Sequence, residues 1–223
     1  HLTGRGVIPE PWIDEGGQSD VSAKERLNPF RRRYLKVCSD ATAGEASYQV
    51  LLALTGGPAE GFNFPDDEFI SYLDSLNVNA DWVMRMNILP AKKAASRNKR
   101  AEEKLNDEYN QQSGDSHAIT GGSTRLDRIA EDLTAYHAAL NSSESEVSVD
   151  AAVIFAVGAP TAEIAQDHAN AIVRAYESRE FKVTTPLGYQ EELWWAALPG
   201  TPSSATVKKL ELLATGRHLA FGV

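Results

Sequence analysis

The sequence predicts an α+β fold, a ferredoxin-like sandwich with an inserted antiparallel helical hairpin arm. Residues 81–89 and 147–157 have the composition and pattern of strands, and a strongly polar segment with helical character separates them. The second strand is nearly continuous in apolar residues, as expected for a strand covered on both faces. Since the polar segment begins and ends at a strand, we expect both of its ends to lie in one core.

The composition predicts a globular protein without a membrane span. The chain has 223 residues, 42% of them hydrophobic, and a formal net charge of −9. This charge argues against extensive contact with nucleic acid or an anionic membrane, although local basic patches are compatible with it. Cys38 is the single cysteine, which excludes an internal disulfide, and no run of about eighteen apolar residues occurs. We therefore expect a cytoplasmic location.

Three regions are predicted along the chain. Residues 1–33 form an irregular lead-in because glycine and proline are frequent there, and residues 34–198 form the ferredoxin-like domain, with the arm at residues 91–141. Residues 199–223 form a connector, whose last residues, 219–223, have the pattern of an apolar strand cut short. Because the chain also opens without methionine, we expect a piece of a larger protein, with this connector leading toward a missing motor domain.

The first predicted strand of the domain is Tyr34–Cys38, with the cysteine as a small buried residue. Three arginines at residues 31–33 precede it. They form either an anion site or, as the sequence favours, a charged strand end in solvent.

Residues 47–54 are predicted as the next strand, and a helix is expected to open at residues 64–68, Phe-Pro-Asp-Asp-Glu. Proline suits the first turn of a helix, and three carboxylates there complement the positive end of the helix dipole. The stripe that this helix buries is expected to consist of Phe69, Ile70, Leu73 and Leu76.

The arm is predicted as two helices. The first covers residues 91–110, and the second begins near Ser123 or Thr124, where Thr124 and Asp127 have the spacing of a capping box. Its apolar residues follow at alternating steps of three and four, which predicts a coiled-coil-like seam made of Leu126, Ile129, Leu133, Tyr136 and Leu140. The simplest packing is an antiparallel hairpin with a mobile tip at residues 111–122.

The remaining elements complete a doubled unit. A helix is predicted to start at Pro160 or Thr161, followed by a strand at residues 181–185 and a short helix that Pro199 and Gly200 stop. From residue 47 onward the order is strand, helix, strand, helical hairpin, strand, helix, strand. That order is the basis for the predicted ferredoxin-like sandwich.

The motifs of nucleotide and metal chemistry are missing from the sequence. No Gly-x-x-x-x-Gly-Lys-Ser/Thr phosphate-binding loop occurs, and the five histidines are scattered without ligand spacing, so we expect no cofactor and no metal in this chain. The pairs Asp66/Asp67 and Glu191/Glu192 could act as acid and base, but compensation of a helix dipole explains both. The sequence therefore predicts no catalytic residue.

Two groups of residues are candidates for binding a partner: Lys92, Lys93, Arg97 and Arg100 in the arm, and the neighbouring Trp194 and Trp195. The lysines lie in the first turn of a predicted helix, where positive charge opposes the dipole at a cost of ~0.3–1 kcal/mol each. Because stability does not favour this placement, the patch could meet an acidic partner, a phosphate or acidic loops of the chain itself. The tryptophans could dock a partner, although at least one is expected in the core.

A family likeness is concentrated in four segments: Tyr48–Leu54, Phe64–Phe69 together with Leu73–Leu76, Val78–Arg85 and Gln190–Gly200. Together they resemble the amino-terminal region of the TraC-like traffic ATPases of type IV secretion and conjugation, particularly forms from Gram-positive bacteria. The third segment carries the most weight. The fourth is similar to the aromatic-rich stretch, ending in Leu-Pro-Gly, that precedes the motor domain in that family.

The resemblance implies a non-catalytic assembly and docking domain of a conjugative-transfer ATPase. It further implies that ATP and magnesium belong to a motor domain that follows, and that the parent protein forms a hexamer. The expected partners are inner-membrane components of a secretion channel, at the cytoplasmic face of the membrane. The alternative is a free-standing ferredoxin-like module that binds nucleic acid or a protein partner. A small hydrolase or transferase is disfavoured because no nucleophile and base occur at suitable spacing.

Overall fold

The computed structural model describes residues 7–13, 32–39, 46–58, 62, 67–114, 121–143 and 146–222. The strands are β1 (Val7–Ile13), β2 (Arg32–Ser39), β3 (Ala46–Gly56), β4 (Ala80–Pro90), β5 (Val147–Ala159), β6 (Lys182–Thr184) and β7 (Leu212–Thr215). The helices are α1 (Phe69–Ser75), α2 (Ala91–Gly114), α3 (Gly121–Leu140), α4 (Ala162–Glu177), α5 (Gln190–Ala197), α6 (Ala205–Lys209) and α7 (Gly216–Gly222).

The strands form one sheet with the order β1-β2-β3-β5-β4, in which β6 also pairs with β3 and β7 with β5. The pairs β1–β2, β2–β3, β3–β5 and β3–β6 are antiparallel. The predicted succession of strand, helix, strand, helical hairpin, strand, helix and strand is confirmed for β3 to β6. The protein is therefore a mixed α/β fold built on an antiparallel sheet.

The chain divides into two compact units. We call the first the sheet unit; it comprises His1–Arg85, Ala151–Leu212 and Gly222–Val223. The second, the hairpin unit, comprises Met86–Asp150 and Leu213–Phe221 and contains α2 and α3.

One face of the sheet unit is packed by α1 and α4 through an aromatic cluster. The ring of Tyr176 lies 5.1 Å from that of Phe155 and 5.8 Å from that of Phe181, measured between centroids. The Tyr176 hydroxyl donates a hydrogen bond to the carbonyl oxygen of Phe69 in α1. Thr161 caps α4 by accepting a hydrogen bond from the Ile164 N–H at 3.3 Å, as a helix start at this position predicts.

The other face of the sheet unit is packed by α5 and α6. Leu193 and Trp194 of α5 and Val207 of α6 contact a set of buried apolar residues on β2, β3 and β5, namely Leu35, Val37, Leu51, Ala152, Ile154 and Ala156. Arg85 of β4 donates hydrogen bonds to the carbonyl oxygens of Ala196 and Thr201, close to the carboxyl end of α5. Helices thus lie on both faces, and β5 is buried from Ala151 to Val157, which confirms its predicted coverage.

A gap between β2 and β6 is filled by a side chain. Both strands pair with the same side of β3, but β2 pairs only as far as Gln49 and β6 begins its pairing at Ala53. The backbone of Leu51 lies between them. The Gln190 carboxamide accepts a hydrogen bond from Leu51 N–H at 2.8 Å and donates one to Leu51 C=O at 3.0 Å. This fully buried side chain therefore takes the place of a strand residue.

In the hairpin unit, α2 and α3 contact each other and only residues 115–120 separate them, so the two helices run antiparallel as predicted. Leu126 and Leu140 of the predicted seam are buried, whereas Ile129 is 41% exposed and was wrongly assigned to it. The helices extend farther toward the tip than predicted, and Thr124 lies inside α3 instead of capping it. The remaining tip, residues 115–120, lies outside the described residues.

Strand β1 was not predicted, because the lead-in was expected to be irregular. It pairs with β2 from Val7 to Ile13 and lies at the end of the strand order. Successive N–H groups of a strand point to opposite sides, so residues two apart point theirs to the same side. Pro9 and Pro11, which have no N–H, therefore leave one side of β1 without donors at these two positions. An edge strand tolerates this on its free side.

Two helix predictions also need correction. Asp67 and Glu68 precede α1, which begins at Phe69, so no carboxylate lies in its first turn; residues 64–66 lie outside the described residues. Residues 219–222 belong to helix α7 and not to a strand. Within the hairpin unit, the backbone N–H of Arg217 donates a hydrogen bond to the Glu146 carboxylate at 3.2 Å. This contact satisfies one of the N–H groups at the start of α7 that have no partner inside the helix.

We predict that Gln190→Met lowers the free energy of unfolding by about 2–5 kcal/mol, because two buried backbone groups of Leu51 lose their partner. Gln166→Met, a substitution of a half-buried glutamine on α4, is the matched control and should change stability by less than about 0.5 kcal/mol. Urea unfolding followed by circular dichroism measures both. Equal losses for the two variants would contradict the role assigned to Gln190.

The sheet unit is also predicted to lose stability at alkaline pH. Burial, reinforced by Tyr72 and Asp74 and opposed by Arg179, raises the pKa of Tyr176. The folded state therefore disfavours the phenolate, and the resulting stability is fully present below the unfolded pKa of about 10 and is lost as pH rises above it. Urea unfolding between about pH 7 and about pH 11 should show this loss.

In the same alkaline series, Tyr176→Phe should flatten the pH dependence, while lowering stability at neutral pH because the Phe69 carbonyl loses its donor. Tyr189→Phe, which removes the hydroxyl of a 40% exposed tyrosine, is the control for the loss at neutral pH and should change stability there by less than about 0.5 kcal/mol. A Tyr176→Phe variant that retains the full alkaline loss would contradict the assignment.

Candidate functional site

The four basic candidates lie on α2 in the hairpin unit. Lys92 and Lys93 are in its first turn and are exposed, as is Arg100, whereas Arg97 is half-buried. Lys93, Arg97, Arg100 and Lys104 follow one another at steps of four, three and four residues, which places them along one face of the helix. The cations therefore form a row along one face of α2.

Arg97 is held by an acidic partner within the hairpin unit. One guanidinium nitrogen lies 2.8 Å from Oδ1 and 2.7 Å from Oδ2 of Asp150, and the other donates to the Ser148 hydroxyl at 2.9 Å. Asp150 and Ser148 lie near the start of β5, and Ser148 is fully buried. The charge of Arg97 thus serves to attach α2 to this strand.

The electrostatic environment keeps the Arg97 guanidinium charged. Burial alone would lower the pKa of Arg97, but the hydrogen bond and the negative charge of Asp150 outweigh it, with a smaller contribution from Tyr136, and the pKa is raised. The guanidinium is consequently protonated wherever the protein is folded. Arg97 is less suitable for binding a partner than the sequence suggested, because its hydrogen bonds are already used.

Lys92, Lys93 and Arg100 are the remaining basic candidates. None of the three has an ion pair with another residue in the part of the chain that the structure describes. We call these three residues the basic patch. It is an exposed positive surface on a chain with a net charge of −9, and its chemistry suits carboxylates or phosphates.

The two tryptophans have different environments in the sheet unit. Trp194 is 2% exposed and its indole N–H donates to the Gln49 side-chain oxygen at 2.9 Å. Trp195 packs edge-on against it at 4.9 Å between centroids and is 43% exposed. The expectation that at least one of them is in the core is confirmed, and only Trp195 has surface available to a partner.

The sheet unit also contains a polar cleft that the sequence analysis did not predict as a site. Its volume is about 350 Å³, and its lining includes Arg33 of β2, Gln166 and Asn170 of α4, and Thr185 after β6. Of these, only the arginine had been considered, as part of the possible anion site at residues 31–33. A polar pair spaced by four residues on α4 was the available signal for Gln166 and Asn170.

The described residues contain no group of three or more His, Cys, Asp or Glu side chains that could hold a metal ion. His137 lies 3.7 Å from the Glu102 carboxylate in the hairpin unit, which is compatible with an ion pair between the two hairpin helices. The side chain of Cys38 lies outside the described residues. Among the described helices, none combines the length and apolar character that crossing a membrane requires.

Comparison with protein-family models gives no match for this chain, and comparison with curated proteins gives none either.

We predict that Arg97→Met destabilises the hairpin unit by about 1–3 kcal/mol, because Asp150 and the buried Ser148 hydroxyl lose their partner. Lys93→Met, one turn earlier on the same helix, is the matched control. It should be neutral or stabilising by up to about 1 kcal/mol, since it removes positive charge from the helix start. Thermal unfolding followed at 222 nm measures both, and equal destabilisation would refute the anchoring role of Arg97.

Proposed function

We propose that this chain is the non-catalytic assembly and docking domain of a type IV secretion or conjugative-transfer ATPase, with its basic patch as part of the docking surface. The proposal rests on one observation above the others. A strand-helix-strand unit and its repeat are separated by a long polar hairpin, and such a two-helix rod extends the reach of a docking domain without enlarging its core.

We further propose that β3, α1, β4, β5, α4 and β6 make up a ferredoxin-like unit. The strand order β6-β3-β5-β4 supports this, and β3 pairs in antiparallel fashion with both β5 and β6. The position of α1 and α4 on one face of the sheet unit also supports it. Helices α5 and α6 on the opposite face are an addition to a two-layer sandwich. Helix α5 lies in the segment Gln190–Gly200, which resembles the stretch that precedes the motor domain in the TraC-like family.

Docking through the hairpin unit is supported by the charges of α2. The helix begins with exposed lysines at its positive end, a placement that costs stability and is explained if an acidic surface binds there. Arg97 and Asp150 attach this part of α2 to β5, so the basic patch is presented from an ordered helix. An acidic segment of an inner-membrane channel protein is the proposed partner, at the cytoplasmic face of the membrane.

Catalysis is assigned to a motor domain and not to these residues. ATP and magnesium would bind that motor, and its hexamer would include this chain through the parent protein. Reading the parent gene past residue 223 provides the first test, because the proposal requires a Gly-x-x-x-x-Gly-Lys-Ser/Thr motif downstream. A gene without it would refute the proposal.

The second candidate function is a ferredoxin-like module for nucleic acid, which the row of cations on α2 favours. A gel-shift measurement with single-stranded DNA at several salt concentrations distinguishes it. Salt-dependent binding by the isolated chain that Lys92, Lys93 and Arg100 substitutions abolish would establish this alternative over channel docking.

In the full-length protein, we predict that the triple change Lys92→Glu, Lys93→Glu and Arg100→Glu lowers conjugative transfer by at least about tenfold and reduces recovery with the membrane fraction. Arg174→Glu, Lys208→Glu and Lys209→Glu together are the control. They reverse the same number of exposed charges in the sheet unit and should leave both readouts near the wild-type level. Unchanged transfer in the first triple variant would refute docking through the basic patch.

A further inference from the structure

We propose that the polar cleft of the sheet unit is a binding site for a small molecule that carries an oxyanion, a carboxylate or a phosphate, next to an apolar group. The cleft lies in a different unit from the basic patch, and the proposal does not depend on the proposed function. None of the described lining residues belongs to the basic patch.

The polar lining of the cleft favours an acceptor-rich ligand. Arg33 contributes a guanidinium, Gln166 and Asn170 contribute carboxamides, and Thr185 contributes a hydroxyl. All four side chains can donate hydrogen bonds, and the described lining residues include no carboxylate. The charge-assisted, forked hydrogen bonds of a guanidinium match the geometry of carboxylates and phosphates. An anion therefore suits this lining better than a cation.

The remaining described lining is apolar. Val50 and Ala169 are buried in the wall, and Leu187 is 46% exposed. A cleft of about 350 Å³ is within the size range of small-molecule sites, which combine apolar walls with a few directed polar groups. The ligand is thus expected to place an apolar group against Val50 and Leu187 and its charge against the polar lining.

Several ordered elements position these groups. Gln166 and Asn170 are one turn apart on α4, where the small side chain of Ala169 between them leaves room over β3. Arg33 precedes the residues of β2 that pair with β3, and Thr185 directly follows β6, so both lie at the two sides of the gap in the sheet. The cleft is bordered by the strand ends on the two sides of that gap, in which Gln190 pairs with Leu51. Its walls are formed before any ligand binds.

Nuclear magnetic resonance titration of the isotope-labelled chain tests the site with four probes: acetate, N-acetylleucine, inorganic phosphate and monobutyl phosphate. We expect N-acetylleucine or monobutyl phosphate to shift the side-chain amide signals of Gln166 and Asn170 saturably. N-acetylleucine should bind more tightly than acetate, and monobutyl phosphate should bind more tightly than inorganic phosphate. Whichever amphiphile binds more tightly identifies the anion as a carboxylate or a phosphate.

Substitutions at the cleft give the matched comparison. Arg33→Gln should weaken binding of the better probe by about tenfold or more. Asn170→Asp should abolish binding, because it places a negative charge in the cleft that repels the negative charge of the ligand. Arg174→Gln removes the same charge from α4 outside the described lining and should change the dissociation constant by less than about twofold. Backbone spectra of all three variants should otherwise match the wild type, because each side chain is exposed.

Three results would overturn the proposal. The first is that none of the four probes shifts the Gln166 or Asn170 side-chain signals in the millimolar range. The second is that Arg33→Gln and Arg174→Gln weaken binding equally, which would indicate a diffuse charge effect and not a site. The third is that acetate and phosphate bind as tightly as their apolar counterparts, since the wall of the cleft would then contribute nothing.

Discussion

The paired hydrogen bonds between the Gln190 carboxamide and the backbone of Leu51 are the interaction on which the sheet unit depends. Strand β3 is shared by β2, β5 and β6, so it is central to the sheet, yet neither β2 nor β6 reaches Leu51. Buried backbone groups without partners cost about 1–3 kcal/mol each. By satisfying both, Gln190 also fixes the start of α5 against β3, and Trp194 one turn later adds a hydrogen bond to Gln49. The second layer of helices is therefore attached to the sheet by polar contacts inside an apolar core.

The parts of the fold that were predictable are those that a single periodicity determines. The continuous apolar run of β5 predicted a strand buried on both faces, and its burial from Ala151 to Val157 confirms this. The steps of three and four in α3 predicted a helix with a buried seam, correct at Leu126 and Leu140. It failed at Ile129, which is 41% exposed although Leu126, nearer the tip, is buried. Local pattern thus predicted the elements and their order better than it predicted the environment of individual side chains.

The features that sequence reasoning missed depend on partners distant along the chain. The prolines of β1 argue against a strand unless its position at the sheet edge is known. Arg97 was interpreted as available charge because Asp150, its partner, is fifty-three positions away. The same holds for the cleft, since Arg33, Thr185 and the α4 amides come from three separate segments. Only the pairing of strands and the packing of helices determine which of these groups meet.

The gap that Gln190 fills can be traced to a proline. Continuing the register of Ala53 with Thr184 by two residues would place Pro186 opposite Leu51. Proline has no N–H, so an extended β6 would leave the Leu51 carbonyl without a donor in a buried position. The chain instead turns away, and the Pro186 carbonyl accepts a second hydrogen bond from the Gln190 side chain at 3.0 Å. One glutamine, four residues after the proline, thereby supplies the missing donor and keeps the turn in place. Pro186, which ends β6, therefore also sets the edge of the cleft beside Thr185. The end of the strand is encoded by one local residue, whereas the walls of the cleft come from segments that are distant in the sequence.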